Sequence, residues 1–443
     1  MVSGGIAILF LVLSVAVLIF LTARVKLNAF IALIVVAFLY GLLVRMPLPD
    51  LITNIRNGFG GTLGYIGIVI VAGTIIATIL EKSGGAFAMT NSILSLVGKK
   101  RAPLAMSIAG YVVSVPVFCD SGYIILTPLN KGLAKETGRS MAVMAVALGT
   151  GLYATHSMVP PTPGPIAAAG ILGADLGLTI GLGLIASIPA MIGGYLWAIH
   201  FAKRYEIQPR LAEDLQTVRE RFGKLPSAAL SFMPIVVPIV LIVLKSITEL
   251  PARPFGEAGF AAFLSFIGDP VTALMLGIGI ALFLVKKGTV KEAVSDWTLE
   301  GIRNAALVLV ITGAGGAFGR VLQGSPIVGW IEANLAIPAL GVFLPFAISA
   351  AIKTAQGSST VAIITTASVM APMIGPLGLT PALTVIAIGA GSMVVSHAND
   401  SYFWVVTQFA DMEPRVGYKA WTSATLVEGL VAFGVVAILS IFI

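Results

Sequence analysis

The sequence predicts an all-α polytopic membrane protein of two inverted-topology repeats, with broken transmembrane helices and re-entrant hairpins. Three observations lead there. Of 443 residues, 57% are hydrophobic and 11% charged, whereas a water-soluble domain carries about a quarter charged residues. Apolar runs long enough to cross a bilayer, roughly 17–25 residues each, recur along the chain. Finally, each half holds one stretch, 117–165 and then 353–405, that places ionisable and hydroxyl residues within such apolar sequence. A carboxylate near the bilayer centre costs roughly 2.5–3.5 kcal/mol on insertion scales, so these residues mark an enclosed or wet site. Their recurrence in both halves points to one composite site between two repeats, as in a transporter.

In chain order, the clearest apolar runs are 6–22, 29–44, 179–201, 228–245, 271–285 and 421–443. With the polar-interrupted segments added, about 11 to 13 crossings are expected. The first run lacks the basic flank and cleavage site of a signal peptide and reads as a retained span. The longest strongly polar stretch, 202–226, divides the chain into repeats 1–201 and 227–443. Lys and Arg outnumber Asp and Glu in this linker, which assigns it to the cytoplasm. The first loop, with Arg24 and Lys26, then also lies inside, so the two repeats start on opposite sides of the membrane.

The net charge of +7 has the same explanation, because the basic residues gather in short loops that flank spans. No basic patch is interleaved with aromatics, so no nucleic-acid partner is expected; the partner is the lipid bilayer. Cys119 is the single cysteine. It excludes an intramolecular disulfide and a cysteine-rich metal site. No metal and no cofactor are expected.

The halves repeat an order of events. Gly-rich apolar runs at 71–85 and 311–325 each end at a polar turn. Cys119-Asp120-Ser121-Gly122 is matched by Ala355-Gln356-Gly357-Ser358-Ser359, each leading into an apolar run. Gly149-Thr150-Gly151 and Gly389-Ala390-Gly391 follow, each with a His-containing polar turn five residues later. Small or polar breaks at corresponding places in two repeats are the best sequence pointer to a binding site.

Pro116 removes a backbone donor and Gly122 loosens the chain, so a helix break is expected at 115–122. The broken end offers free N–H groups and a positive dipole end to an anion. Asp120 there reads as a proton carrier, a cation ligand or a helix cap, with Ser121 and Gly122 beside it. Four prolines between 160 and 165 force a second irregular stretch. At membrane depth such backbone survives only inside protein or beside a cavity. The hydroxyls of Thr155, Ser157 and Thr162 suit a polyhydroxylated ligand, and His156 joins them.

In the second half, Lys353 reads three ways: neutralising Asp120 or Asp400, attracting a substrate carboxylate, or snorkelling to the interface. Gln356, Gly357, Ser358, Ser359 and Thr360 read as a helix N-terminus whose amides and hydroxyls hold an anion. The run lacks the Gly-Lys-Ser/Thr ending of a phosphate loop. His397, Asn399 and Asp400 add an imidazole, an amide and a carboxylate. Asp400 is the first choice for a protonation site and Asp120 the second, with His156 and His397 as further proton-handling candidates. Glu81, Lys82 and Arg320 read as hairpin tips or gates, His200 as interfacial, and Glu428 as a scaffold residue with a pairing partner.

The strings VPVFCDSGYIILTPL, ATHSMVPPTPGPIAAAG, KTAQGSSTVA and VSHANDSYFWVV resemble the gluconate permease family of proton-coupled symporters, within the ion transporter superfamily. The likeness covers nearly the whole chain. It implies uptake of gluconate or a related small sugar or hydroxy acid with protons, across a bacterial inner membrane. It also implies a homodimer whose transport domain moves against a scaffold, elevator fashion, with hairpins at 71–98 and 311–335. Family members carry other small carboxylates, D-serine included. Sodium coupling and a passive anion channel stand as alternatives. An intramembrane hydrolase is disfavoured, since neither Gly-x-Ser-x-Gly nor His-Glu-x-x-His occurs.

Overall fold

The computed structural model describes residues 1–209, 223–249, 254–256, 259–334 and 341–443. Every long element among them is a helix and none is a strand. The first half contains α1 (Gly4–Ala23), α2 (Ala29–Leu43), α3 (Leu48–Lys82), α4 (Gly85–Val97), α5 (Ala102–Val113) and α6 (Cys119–Thr137). It continues with α7 (Met141–Met158), α8 (Pro163–Leu172) and α9 (Leu176–His200). The second half contains α10 (Ala228–Thr248), α11 (Phe260–Ile267), α12 (Pro270–Leu282), α13 (Thr298–Gln323) and α14 (Ile327–Asn334). Then come α15 (Phe343–Gln356), α16 (Ser359–Met370), α17 (Pro381–Met393), α18 (Ser401–Phe409) and α19 (Ser423–Leu439).

The packing repeats as the sequence does. α2 lies on α13 as α12 lies on α3, and α7 joins α5 to α9 as α17 joins α15 to α19. α8 packs on α16 as α18 packs on α6. Counterpart helices run antiparallel across the middle. Gly58 of α3 meets Ala317 of α13, whereas Ile75 meets Gly301; likewise Ser157 of α7 approaches Gly389 of α17, whereas Tyr153 bonds to Ser392. A two-fold that reverses helix direction lies in the membrane plane, which is the geometry of inverted repeats.

The paired glycines have a packing role. The Ser107 carbonyl of α5 touches Gly151, and the Phe346 carbonyl of α15 touches Gly391, so a β-carbon at either place collides with backbone. Small residues let helices approach closely where lipid supplies no hydrophobic drive.

Among the described residues, seven helices are long and apolar enough to cross a membrane, or eight if Phe260–Ile267 and Pro270–Leu282, bent by 67°, form one span. That is fewer than the expected 11 to 13. The remaining apolar sequence forms short helices such as Ala29–Leu43, Gly85–Val97, Ser359–Met370 and Pro381–Met393. Hydropathy alone does not separate such a helix from a complete span. The hairpins differ in a similar way. The arm beginning at 71 is the end of the continuous 35-residue α3, which turns at Ser83–Gly84 into α4. The second hairpin, α13 to α14, extends to Leu335, which lies outside the described residues. Lys82 at the first turn pairs with Glu300 at 2.8 Å.

Local contacts tie several of the basic loops to neighbouring segments. Ser140 Oγ donates to the Tyr205 carbonyl at 2.6 Å and accepts from Ile207 N–H at 3.1 Å. Lys99 pairs with Glu136 at 2.6 Å, and Lys286 lies beside Gly223. The linker assigned to 202–226 falls partly outside the described residues, at 210–222.

Candidate functional site

Four helix interruptions occur, at 114–118, 159–162, 357–358 and 394–400, and Asp120, just after the first, lies within electrostatic range of Asp400 in the fourth. Each has a local cause. Pro116 lies in the first. Pro160 and Pro161 occupy the second, while Pro163 and Pro165 fall in the opening turn of α8, where a missing N–H costs no intrahelical bond. Gly357 adopts φ +93°, and a side chain there would strike the Asn399 carbonyl. This contact joins the third interruption to the fourth.

Lys353 is fully buried, which excludes the snorkelling reading. Its ammonium donates to Asp400 Oδ2 at 2.5 Å and to the Gly357 carbonyl. It also lies 5.9 Å from the centre of the Tyr153 ring. Asp400 is the N-cap of α18, with Oδ1 accepting from Tyr402 N–H at 3.1 Å. Ser396 Oγ donates to its other oxygen at 2.5 Å and accepts from Trp421 Nε1 at 2.9 Å. Asp400 is thus held by a cation, a hydroxyl and an amide.

Asp120 is placed differently. It occupies the first turn of α6, but the N-cap is Phe118 and no side chain caps that helix end. Its Oδ1 is buried without a hydrogen-bond partner among the described residues. The Cys119 thiol donates to Oδ2 at 3.9 Å, and the residue's own backbone amide also interacts with the carboxylate. Asp120 therefore does not satisfy the broken helix as a cap. It lies within electrostatic range of both Asp400 and Lys353. Ser121 and Gly122 follow it, Ser121 half-buried and Gly122 buried.

The remaining candidates divide into two groups. One is accessible: Gln356, Ser358, Thr360 and His397 are half-buried and Asn399 is exposed. His397 Nε2 and Asn399 Nδ2 both lie 2.9 Å from the Thr354 carbonyl. Gln356 Nε2 donates to the Ser358 carbonyl at 2.6 Å, and Ser358 Oγ caps α16 through Val361 N–H at 3.3 Å. Ser359 is buried beside them.

The other group is sealed. Thr155, His156, Ser157 and Thr162 are all buried. Thr155 donates to the Tyr111 carbonyl at 2.9 Å and Thr162 to the Val159 carbonyl at 2.6 Å. Their hydroxyl protons are thus spent on backbone. His156 Nδ1 and Ser157 Oγ are buried and unpartnered among the described residues, and the His156 ring stands 6.0 Å from the Phe118 ring. The proline turn faces away, with Pro160 and Pro161 lining an apolar crevice against Val69, Ile76 and Pro234.

Sequence reasoning missed Ser396, Tyr153 and Trp421, which hold the buried pair in place. The available signal was Tyr153, an aromatic residue among small ones three positions before His156. Glu428 also needs correction. It is fully buried, and neither carboxylate oxygen has a partner among the described residues. No group of three or more His, Cys, Asp or Glu side chains suited to a metal occurs among the described residues.

The family pattern "GntP family permease" matches residues 6–442. The chain belongs to the GntP family of permeases. This permease is 34% identical over 438 residues to the gluconate permease of Pseudomonas aeruginosa, covering 96% of this chain and 95% of that one. It is 32% identical over 414 residues to the high-affinity gluconate transporter of Escherichia coli, covering 93% and 94%. The inner membrane permease YgbN of Escherichia coli is 34% identical over 439 residues, covering 95% of each. Among solved structures, the Alcanivorax borkumensis YdaH transporter superposes with a TM-score of 0.63 at 15% identity, covering 90% and 89%. That likeness shows a shared fold. The family consists of membrane permeases, and this chain is a multi-pass transport protein rather than an enzyme.

Proposed function

We propose that this permease imports gluconate, or a related small sugar or hydroxy acid, by proton symport across the bacterial inner membrane. The names of its relatives support the substrate and the membrane. The observation that carries the coupling is the charge balance. One buried cation, Lys353, is committed to Asp400, and Asp120 remains with an unpartnered oxygen at an uncapped helix end.

With both carboxylates ionised, this cluster carries one negative charge. The start of α6 offers the amides of Cys119, Asp120 and Ser121 together with a positive dipole end, a natural anion site. An ionised Asp120 competes with the substrate carboxylate for that field. A proton on Asp120 removes the competition, so proton and substrate each favour binding of the other, as linkage requires. The geometry therefore favours Asp120 over Asp400 as proton carrier, because Asp400 already holds a lysine. In this proposal Ser121, Gln356, Ser358, Thr360, His397 and Asn399 read the hydroxyls of the sugar chain.

The same balance explains obligatory coupling. An empty cluster and one loaded with both proton and anion bear equal charge, whereas the anion alone adds a second negative charge. Burying that extra charge is strongly unfavourable. The repeats 1–201 and 227–443 about a cytoplasmic linker, the homodimer and the elevator-like movement belong to the same proposal. Light scattering of the purified protein checks the dimer.

Proteoliposomes under an imposed pH gradient, with and without sodium, test the coupling. Accumulation of gluconate that follows the proton gradient in sodium-free buffer is expected. Uptake that ignores this gradient and requires sodium overturns proton coupling; uptake that never exceeds equilibrium makes the protein a passive channel.

A further inference from the structure

We infer that Glu428 is a second proton-binding carboxyl of the transport cycle, loaded in this conformation and linked to the Asp400–Lys353 pair through the 394–400 turn. The inference rests on the proton-symport reading above.

Glu428 lies within the 26-residue apolar stretch Pro414–Leu439. It is fully buried, and both carboxylate oxygens lack a hydrogen-bond partner among the described residues. An ionisable residue inside a membrane span is costly, and one without a counter-charge is not explained by scaffold pairing. A buried carboxylate with no compensating donor is far costlier than the neutral acid, which can donate to a carbonyl of its own helix.

Among the described residues, the helices packed against α19, which are α7, α9 and α17, carry no Lys or Arg; α7 carries the buried His156. Of the helices packed against α19, α17 carries no titratable side chain, and α9 carries only Tyr195 and His200, the latter exposed at the helix end. The segment leading into α19 carries Lys419, which is exposed, and Tyr418. From α7 and α18, Tyr153 and Tyr402 lie within electrostatic range of Glu428. Two phenols and a carboxyl make a neutral polar group, not an ion pair.

The same helix face reaches the substrate site. Thr425, one turn before Glu428, accepts from Ser396 N–H at 3.1 Å. Thr422 donates to the Ser396 carbonyl at 2.6 Å, and Ser396 in turn bonds to Asp400. Gly429, next to Glu428, packs directly on Ala390 and Val394 of the α17 end. A change in charge or position at Glu428 thus acts on the turn that holds Asp400.

The test compares wild type with Glu428→Gln, which keeps the shape of the neutral acid. Protons moved per gluconate are recorded with a trapped pH dye in proteoliposomes, alongside gluconate counterflow. The expected result is a lower proton-to-gluconate ratio in E428Q with counterflow retained. An unchanged ratio overturns the inference while leaving the symport reading intact. A wild type that moves no protons with gluconate defeats the symport reading itself. Infrared spectra of the folded protein give a readout independent of transport. A protonated-carboxyl band is expected in wild type at neutral pH and is lost in E428Q, or shifted in E428D should the glutamine variant not assemble. Spectra without that difference overturn the inference.

Discussion

The two repeats share a fold but treat their broken helices in opposite ways. In the second half both interrupted ends are capped, α16 by Ser358 and α18 by Asp400. In the first half neither α6 nor α8 has a side-chain cap. The carboxylates follow the same division. Asp400 is bonded by Lys353, Ser396 and the Tyr402 amide, whereas an oxygen of Asp120 has no partner. One repeat is internally compensated, and the other keeps an uncapped helix start and a carboxylate with one oxygen unpartnered among the described residues. A common backbone can thus divide labour between holding the site and loading it.

The largest effect tests the compensated side. Lys353→Met or Asp400→Asn alone leaves a buried group uncompensated and is expected to cost roughly 3–5 kcal/mol of stability. Combining Lys353→Met with Asp400→Leu should recover most of that loss, since apolar replacement of a whole buried pair is often neutral. Thermal unfolding in detergent measures both. Mild single effects would break the contrast between the two carboxylates.

A second, smaller effect tests the pseudo-symmetry. Gly151→Ala and Gly391→Ala each drive a methyl group into a neighbouring helix carbonyl. Overpacking of this kind costs about 1–3 kcal/mol, and the two variants should lose similar amounts. A neutral outcome at either position would mean that the helix contacts are not equivalent. Smaller again is the cap. Ser358→Ala should cost ~1 kcal/mol, whereas Ser121→Ala, at an uncapped end, should change stability by less than about 0.5 kcal/mol. Equal losses would erase the difference between capped and uncapped ends.

Much of this arrangement was legible in the chain because hydroxyls and ions stand out against apolar sequence. The interruptions at Pro116, Pro160–Pro161, Gly357 and His397 announce themselves by composition, and the parallel order of motifs reveals the repeats. Partner choice was not legible. Lys353 lies 47 positions before Asp400, and nothing in the sequence distinguishes Asp400 from Asp120 as its mate. Thr155 looks like a ligand residue until the Tyr111 carbonyl is found beside it. Glu428 failed for the opposite reason, because a sequence cannot display the lack of a partner. Fewer single helices are long enough to cross a membrane than the apolar runs suggested, since a short apolar helix and a full crossing share the same hydropathy.

Proton uptake on substrate binding tests the central claim most directly. Gluconate is titrated into the purified permease by calorimetry in buffers of different ionisation enthalpy, for wild type and Asp120→Asn. The account predicts that wild type takes up protons as gluconate binds near neutral pH, and that D120N binds gluconate with that uptake lost. Binding without proton uptake in wild type, or uptake undiminished in D120N, would contradict it.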